Sequence, residues 1–395
     1  MISKRHILIL GPTPPPFHGV AVSIQSLLDS AIADRFRISH LDLADRRGIQ
    51  YVNKPDWYDV VLFSKQWVGL IQILIRNRPA VTYLVLSQSS IGFIRDSLFI
   101  WPAYWVGSRL VLHLHGGNFR EWFLGRSWLM RTYVRAVLGL ATRVVVLGES
   151  FRNLFDDLVD AQNVCVVPNG IDWPNPERTV RRRDSNARYR VLHLSTLSHL
   201  KGALVLLKAI PLVVNYRQDV EFIFAGPWSH EEDEQWATAF IKDTRIASYV
   251  RFTGQVDGTE KQTLFETSHL FVFPGVQQEG QPLVVLEAMA AGLPVVYTDR
   301  GCLRETIGGR ECGVEVRIND ADDLADSIVW LLDHEEDRKA MGLAGYKRQR
   351  QLFSRDAHVQ RMTQVFEEVV RDATKSKAPS NVTATIPNHD GKKRV

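Results

Sequence analysis

Short apolar runs alternate with longer mixed segments along most of the chain. In the first half these runs are His6–Leu10, Arg37–Leu41, Asp59–Phe63, Thr82–Leu86, Arg109–Leu114, Arg143–Leu147 and Asn163–Val167. Their Val, Ile and Leu residues follow one another instead of alternating with polar ones, which predicts parallel strands covered by helices on both faces. The segments between them are long enough for the crossovers that parallel strands require. The theme stops at Pro168-Asn169-Gly170-Ile171-Asp172, a turn-forming cluster, and a polar, arginine-rich stretch follows from Glu177 to Arg190. It restarts with Arg190–Leu194, Val220–Phe224, Val250–Thr253, Leu270–Phe273, Pro294–Tyr297 and Gly313–Val316. Asp322–His334 predicts an amphipathic helix and Glu335–Asp372 further helix. From Ala373 the sequence is polar and lacks aromatics, a composition that predicts disorder. The expected organisation is an α/β domain over 1–172, a second over 173–355, a helix over 356–372 returning to the first domain, and a disordered tail over 373–395. Two such Rossmann-like sheets facing each other would enclose a cleft beyond the carboxyl ends of their strands, where open parallel sheets bind ligands.

Composition supports two cores. The chain has 395 residues, beyond the usual size of one domain, and 45% of them are hydrophobic. The net charge of +4 is too small for a dedicated nucleic-acid binder, but it suits an anionic small molecule or an anionic membrane surface. Cys165, Cys302 and Cys312 are few, odd in number and without close spacing, so neither a disulfide framework nor a zinc site is expected, and a cytoplasmic setting is. The N-terminal apolar run is short and meets Gly11-Pro12, so it reads as a buried strand and not as a signal peptide. No uninterrupted apolar stretch reaches the ~18 residues of a spanning helix, so the chain is not expected to cross a membrane. Asn381-Val382-Thr383 matches a glycosylation sequon and is read as chance in that setting.

The segment from Pro274 to Val296, PGVQQEGQPLVVLEAMAAGLPVV, contains the most specific chemistry. It reads as strand, loop, a helix over about Leu283–Ala291, a stop at Gly292, and a strand. The loop ends at a helix N-terminus, where backbone N–H groups and the helix dipole attract anions such as a diphosphate. Gly280, Gln281, Leu283 and Val284 can point donors at phosphate oxygens. Glu279 and Glu287 bracket this anion site, and carboxylates there suit sugar hydroxyls.

The Glu-x7-Glu spacing within EGQPLVVLEAMAAGLPVV resembles glycosyltransferase family 4 of the GT-B superfamily, and the resemblance extends to about residue 360. It implies a GT-B fold and a retaining, metal-independent hexosyltransferase that uses a nucleotide-sugar, UDP- or GDP-linked, with no further cofactor. It implies that Glu279 reads the donor sugar and Glu287 the ribose. In LSTLSHLKG, Lys201 is the match for a phosphate-binding lysine, whereas Thr196 stands where the family has an arginine. Either Thr196 donates a neutral hydrogen bond or another cation, such as His199, substitutes. Gly19, after His18, matches one of the paired glycines of the first domain's phosphate loop. His115, before Gly116, matches a histidine by the reaction centre; His113, on the same strand face, reads as a core histidine, and no third ligand makes the two a metal pair. The PNGID segment resembles an interdomain signature with a structural, hinge-forming role. Thr298–Glu305 is expected to line the donor pocket.

The implied acceptor is a glycan, a lipid-linked sugar or a small molecule. The alternatives are a non-catalytic nucleotide-binding or regulatory relative and a sugar-nucleotide epimerase of the same fold. Aromatics and arginines concentrate over Phe93–Trp128, including Trp101, Tyr104, Trp105, Arg120, Trp122, Phe123, Arg126 and Trp128. They read first as core aromatics on helices, and second as a basic, aromatic surface for peripheral contact with an anionic membrane.

Overall fold

The computed structural model describes residues 4–47, 56–173 and 188–375. Two six-stranded sheets, each wholly parallel, follow one another along the chain. The first contains β1 (His6–Gly11), β2 (Arg37–Asp42), β3 (Val81–Leu86), β4 (Arg109–Leu114), β5 (Arg143–Val146) and β6 (Val164–Val166), in the order β2-β1-β3-β4-β5-β6. The second contains β7 (Tyr189–Leu194), β8 (Val220–Ala225), β9 (Val250–Gly254), β10 (Leu270–Phe273), β11 (Val295–Thr298) and β12 (Gly313–Val316), in the order β12-β11-β10-β7-β8-β9. The crossovers of the first half include α1 (Gly19–Leu28), α2 (Ile32–Arg35), α3 (Trp57–Asn77), α4 (Ser90–Trp105), α5 (Phe119–Leu124) and α6 (Trp128–Leu138). Those of the second are α7 (Ala203–Tyr216), α8 (Glu231–Thr244), α9 (Gly258–Thr267), α10 (Leu283–Ala290) and α11 (Leu303–Ile307), followed by α12 (Ala321–Asp333), α13 (Glu335–Leu352) and α14 (Arg355–Lys375).

Each sheet is buried on both faces, which is why its strands read as continuous apolar runs. In the first, Leu8, Leu84 and Leu112 face one core while Ile7, Ile9 and Val111 face another. Met362, Phe366 and Val369 of α14 belong to that second core, and Phe366 meets Phe36 and Tyr83 edge-on at 6.1 and 6.0 Å. The last helix therefore covers the first sheet, fastened by Arg143 to Asp372 at 2.9 Å. It extends through Lys375, past the Ala373 at which the tail was expected to begin; residues 376–395, with the sequon, lie outside the described residues, as does most of the arginine-rich stretch.

Asp59–Phe63, read above as a strand, lies instead in α3. Asp56 and Asp59 close a capping box at its start, and Gln66, Leu70 and Leu74 recur at helical spacing as its buried face. The run Val60-Val61-Leu62-Phe63 misled because the outward side of this helix is apolar as well. By length and composition α3 is able to cross a membrane, and 17% of its most apolar window is buried. Its connections say otherwise: it joins β2 to β3, which both lie parallel beside β1 in one sheet. A crossover of that kind runs along the domain surface.

Both sheets reverse direction once. After β9 the chain returns to place β10 beside β7, and after β2 it returns to place β3 beside β1. The crevices at these switch points, beyond the strands' carboxyl ends, are where open α/β sheets hold ligands.

Candidate functional site

At the second sheet's switch point two loops meet, one after β7 and one after β10. The backbone N–H of Val276 donates to the Leu200 carbonyl at 2.8 Å, binding the loops together. Lys201 ends the first loop and Glu279 sits in the second; the Lys201 ammonium donates to both Glu279 oxygens, at 2.7 and 2.9 Å. Gln277 Nε2 adds a third bond to Glu279 Oε1 at 2.9 Å. With 7% of its surface exposed, Glu279 is a buried carboxylate fixed in place by a cation. An ammonium has three N–H bonds, and two are spent here, so one remains for another anion. Leu283 opens α10 immediately afterwards; its N-cap is Pro282 and no side chain caps it. Gly292 follows the end of this helix with φ +71°, fitting its reading as the stop.

Eight positions beyond Glu279, Glu287 projects from α10 toward α9, where Lys261 donates to Oε1 at 2.6 Å. Burial raises its carboxyl above the usual range, and Lys261 only partly opposes this. Oε2 is buried without a hydrogen-bond partner among the described residues. Buried polar atoms of this kind ordinarily have one, and a ligand hydroxyl is the simplest tenant. Nothing in the sequence singled out Lys261: it belongs to a polar surface helix and reaches Glu287 only through the fold.

The first domain supplies the opposite wall. A Cβ built on Gly19, at the start of α1, would lie 3.9 Å from Leu283 Cγ, so the N-termini of α1 and α10 face each other across the cleft. His18 is the N-cap of α1, with Nδ1 accepting the Ala21 N–H at 3.3 Å. Burial lowers its pKa, so at neutral pH it serves as a cap and not as a cation. A Cβ on Gly280 would overlap the His115 carbonyl oxygen, and one on Gly301 (φ +64°) would overlap the Glu279 carbonyl. Only glycine permits these approaches. Gly301 N–H also donates to Gln278 Oε1 at 2.7 Å, so Gly301 supports the glutamate loop from beneath.

His115 lies within this contact, its ring 4.0 Å from that of His113. Burial pushes His115 down to about 3, with His358 and His18 adding repulsion, and holds His113 well below the ordinary histidine value. Both are neutral at pH 7. His113 Nδ1 pairs with the Tyr83 hydroxyl at 2.7 Å, in keeping with a core position. Nε2 of His115 is buried without a partner among the described residues. Among those residues, no three His, Cys, Asp or Glu side chains are arranged to hold a metal ion.

Thr196 is exposed after β7. His199, the alternative cation, has its Nδ1 3.1 Å from Asp233 Oδ2. Gln281 has a task beyond its backbone: its side chain accepts the Asn169 N–H at 2.6 Å and donates to Thr306 at 3.1 Å, while Asn169 Nδ2 donates to its carbonyl at 3.1 Å. The PNGID turn is thereby locked to the glutamate loop. Glu305 is a second interdomain tie, accepting the N–H groups of Glu149 and Ser150 at 2.8 and 3.1 Å at the start of a 3-10 helix. Arg304 turns away to Glu315 and Asp299.

Residues 178–348 match the family of glycosyl transferases, group 1. A phosphatidyl-myo-inositol mannosyltransferase of Mycolicibacterium smegmatis is 32% identical over 55% of this chain and 53% of its own length. A GDP-mannose-dependent alpha-(1-6)-phosphatidylinositol monomannoside mannosyltransferase of Mycobacterium tuberculosis is 29% identical over 60% of this chain and 64% of its own. The chain thus aligns with about half to just under two thirds of these relatives. Among solved structures, a glycosyltransferase of Rickettsia africae superposes with a TM-score of 0.75 at 15% identity, covering 93% of this chain and 99% of that one. HepE of Anabaena, crystallised with UDP and glucose, superposes at 0.71 and 18%, covering 92% and 100%. The fold is GT-B, and the second domain carries the group 1 signature anticipated from the paired glutamates.

Proposed function

We propose that this chain is a retaining, metal-independent glycosyltransferase that moves a hexosyl group from a GDP- or UDP-linked donor to a glycan, lipid-linked or small-molecule acceptor. The observation that carries the reading is the Glu279 carboxylate, buried at the switch point, held by Lys201 at 2.7 Å and packed against the first domain's His115 loop. In this reading the donor diphosphate takes Lys201's third N–H and the backbone donors of Gly280, Gln281, Leu283 and Val284, with Gly19 opposite. Glu279 orients the sugar hydroxyls, the unpartnered Oε2 of Glu287 receives a ribose hydroxyl, and neutral His115 offers Nε2 to the sugar or acceptor. The C1–O bond to phosphate breaks as a bond to the acceptor oxygen forms on the same face of the sugar, and the leaving phosphate takes the acceptor proton. Charge growing on that phosphate is stabilised by Lys201 and the α10 N-terminus, the kind of preorganised electrostatics that dominates many enzymes. Residues from both domains enclose the site, which limits donor hydrolysis.

The relatives named as phosphatidylinositol mannosyltransferases make GDP-mannose the first donor to try and a lipid-borne polyol the first acceptor class. The work would be done at the cytoplasmic side of a membrane. The test is transfer of radiolabelled hexose from GDP- and UDP-sugars to an extracted lipid and glycan fraction. Labelled product with wild type and not with Glu279→Gln supports the reading; labelled product of equal yield from both removes Glu279 from its role.

A further inference from the structure

The first domain carries an apolar face that no part of the described chain covers. Among the described residues, sixteen of the twenty-three exposed large apolar side chains fall between Trp57 and Leu129, on α3, α4, the α5 end and α6. They form stripes. On α3, Trp57, Val61, Val68 and Ile75 recur at intervals that keep them within about 40° of one another at 100° per residue, opposite the buried Gln66 and Leu70. On α4, Ile91, Ile94, Leu98 and Trp105 fall within about 60° of one another, opposite the buried Phe93 and Ile100. These helices carry an apolar stripe on the outward face as well as on the buried one, a pattern normal for membrane-contacting helices and anomalous for a hydrated surface. The three helices form one plate: Trp67 Nε1 donates to the Leu98 carbonyl at 3.3 Å, and Ser97 pairs with Tyr133 of α6 at 2.5 Å.

We propose that this plate docks on an anionic lipid bilayer. Charge chooses the occupant. Five basic residues lie on α3, α4 and α6 (Lys65, Arg76, Arg95, Arg131 and Arg135) against two acidic ones. Both acids are engaged within the protein, Asp59 by Arg47 at 2.9 Å and the fully buried Asp96 by Arg95 at 2.7 Å, so Lys65, Arg76, Arg131 and Arg135 carry the plate's surplus positive charge. A second copy docked face to face through a twofold axis would set these cations against one another. Anionic headgroups would neutralise them while the side chains of Trp57, Trp105 and Trp128, exposed to 78%, 74% and 67%, enter the interfacial zone that tryptophan favours. At 21 residues α3 gives the plate a length of about 30 Å, and it would lie in the membrane plane. The plate also borders the cleft: α4 begins just after Gln88, whose side chain accepts the Asn118 N–H at 2.8 Å beside the His115 loop. Docking stands independently of the transfer reaction and would hold when donor chemistry fails.

The experiment is co-sedimentation of the full chain with large vesicles of phosphatidylcholine alone or with about a third phosphatidylglycerol, at low and high salt, with tryptophan emission recorded in parallel. Expected are partition onto the anionic vesicles, a blue shift, weakening by salt, and a loss of about tenfold or more in the triple variant Trp57→Gln, Trp105→Gln, Trp128→Gln. Unchanged far-ultraviolet circular dichroism and melting temperature would show that this variant folds. No partition at low salt overturns the proposal, as does equal partition by wild type and the folded variant. A lipid-free wild-type dimer that the triple substitution dissociates also overturns it, by giving the face to a second copy.

Discussion

The two domains share a parallel α/β plan and differ in where they put their chemistry. The second domain has its charges paired beneath its surface, Lys201 with Glu279 and Lys261 with Glu287, two part-buried ion pairs, and few exposed large apolar groups. The first offers the cleft neutral histidines, and has its unusual residues outside, on the apolar plate. A charged pocket suits a charged donor, and a neutral wall suits an acceptor that carries hydroxyls. The comparison teaches that a common fold restricts where ligands bind, at strand ends and switch points, while side chains decide which ligand each half accepts.

The sharpest way to break the comparison is to remove the second domain's cation. Lys201→Ala is expected to lower transfer by ~100-fold or more by analogy with losing a charge-stabilising donor. It also strands the buried Glu279 carboxylate, at a cost of about 1–3 kcal/mol. The double variant Lys201→Ala, Glu279→Gln should regain most of that stability in urea titrations without regaining transfer, which separates folding from function. Glu279→Gln alone keeps shape and removes charge; turnover should fall about 100-fold with an unchanged urea midpoint, and near-normal turnover would contradict its role. A smaller effect sharpens the account in the other direction. Thr196→Arg places a guanidinium beside the proposed diphosphate and should tighten nucleotide binding about fivefold, near 1 kcal/mol, measured by titration.

The first domain's neutral histidines predict a pH dependence. His113, His115 and His358 are held by burial below their unfolded value, as is His193 in the second domain, pushed to about 4. Between about 4 and 6.5 the unfolded chain therefore binds more protons than the folded one, so stability rises with pH through that window and falls on acidification. The urea midpoint should be lower at pH 5 than at pH 7.5; an equal or higher midpoint at pH 5 would show that these rings are protonated in the folded state.

Much of the architecture was legible because it is local. Buried parallel strands announce themselves as unbroken apolar runs, and the motif from Pro274 to Val296 is strand, loop and helix in immediate succession. Asp59–Phe63 failed for a stated reason: α3 is apolar on its outer face too, so no polar repeat marked it as a helix. The site divides the same way. Glu279, Glu287 and Lys201 were visible through motif and resemblance, whereas Lys261 reaches Glu287 across 26 positions and Glu305 caps a helix 155 positions away. Gly301 gave no sign that it lies beneath Glu279's backbone. Such contacts are made by the topology, and single-chain spacing does not encode them.

The most direct test of the central claim, a diphosphate site at the β7–β10 switch point, is calorimetric titration with GDP, UDP, ADP and dTDP in the presence of a chelator. The account predicts that one nucleoside diphosphate binds selectively without metal, that Lys201→Ala abolishes most of the heat, and that saturation at ~100 times the dissociation constant stabilises the fold by ~2.7 kcal/mol. Absence of binding by all four, or binding that Lys201→Ala leaves unchanged, would contradict it.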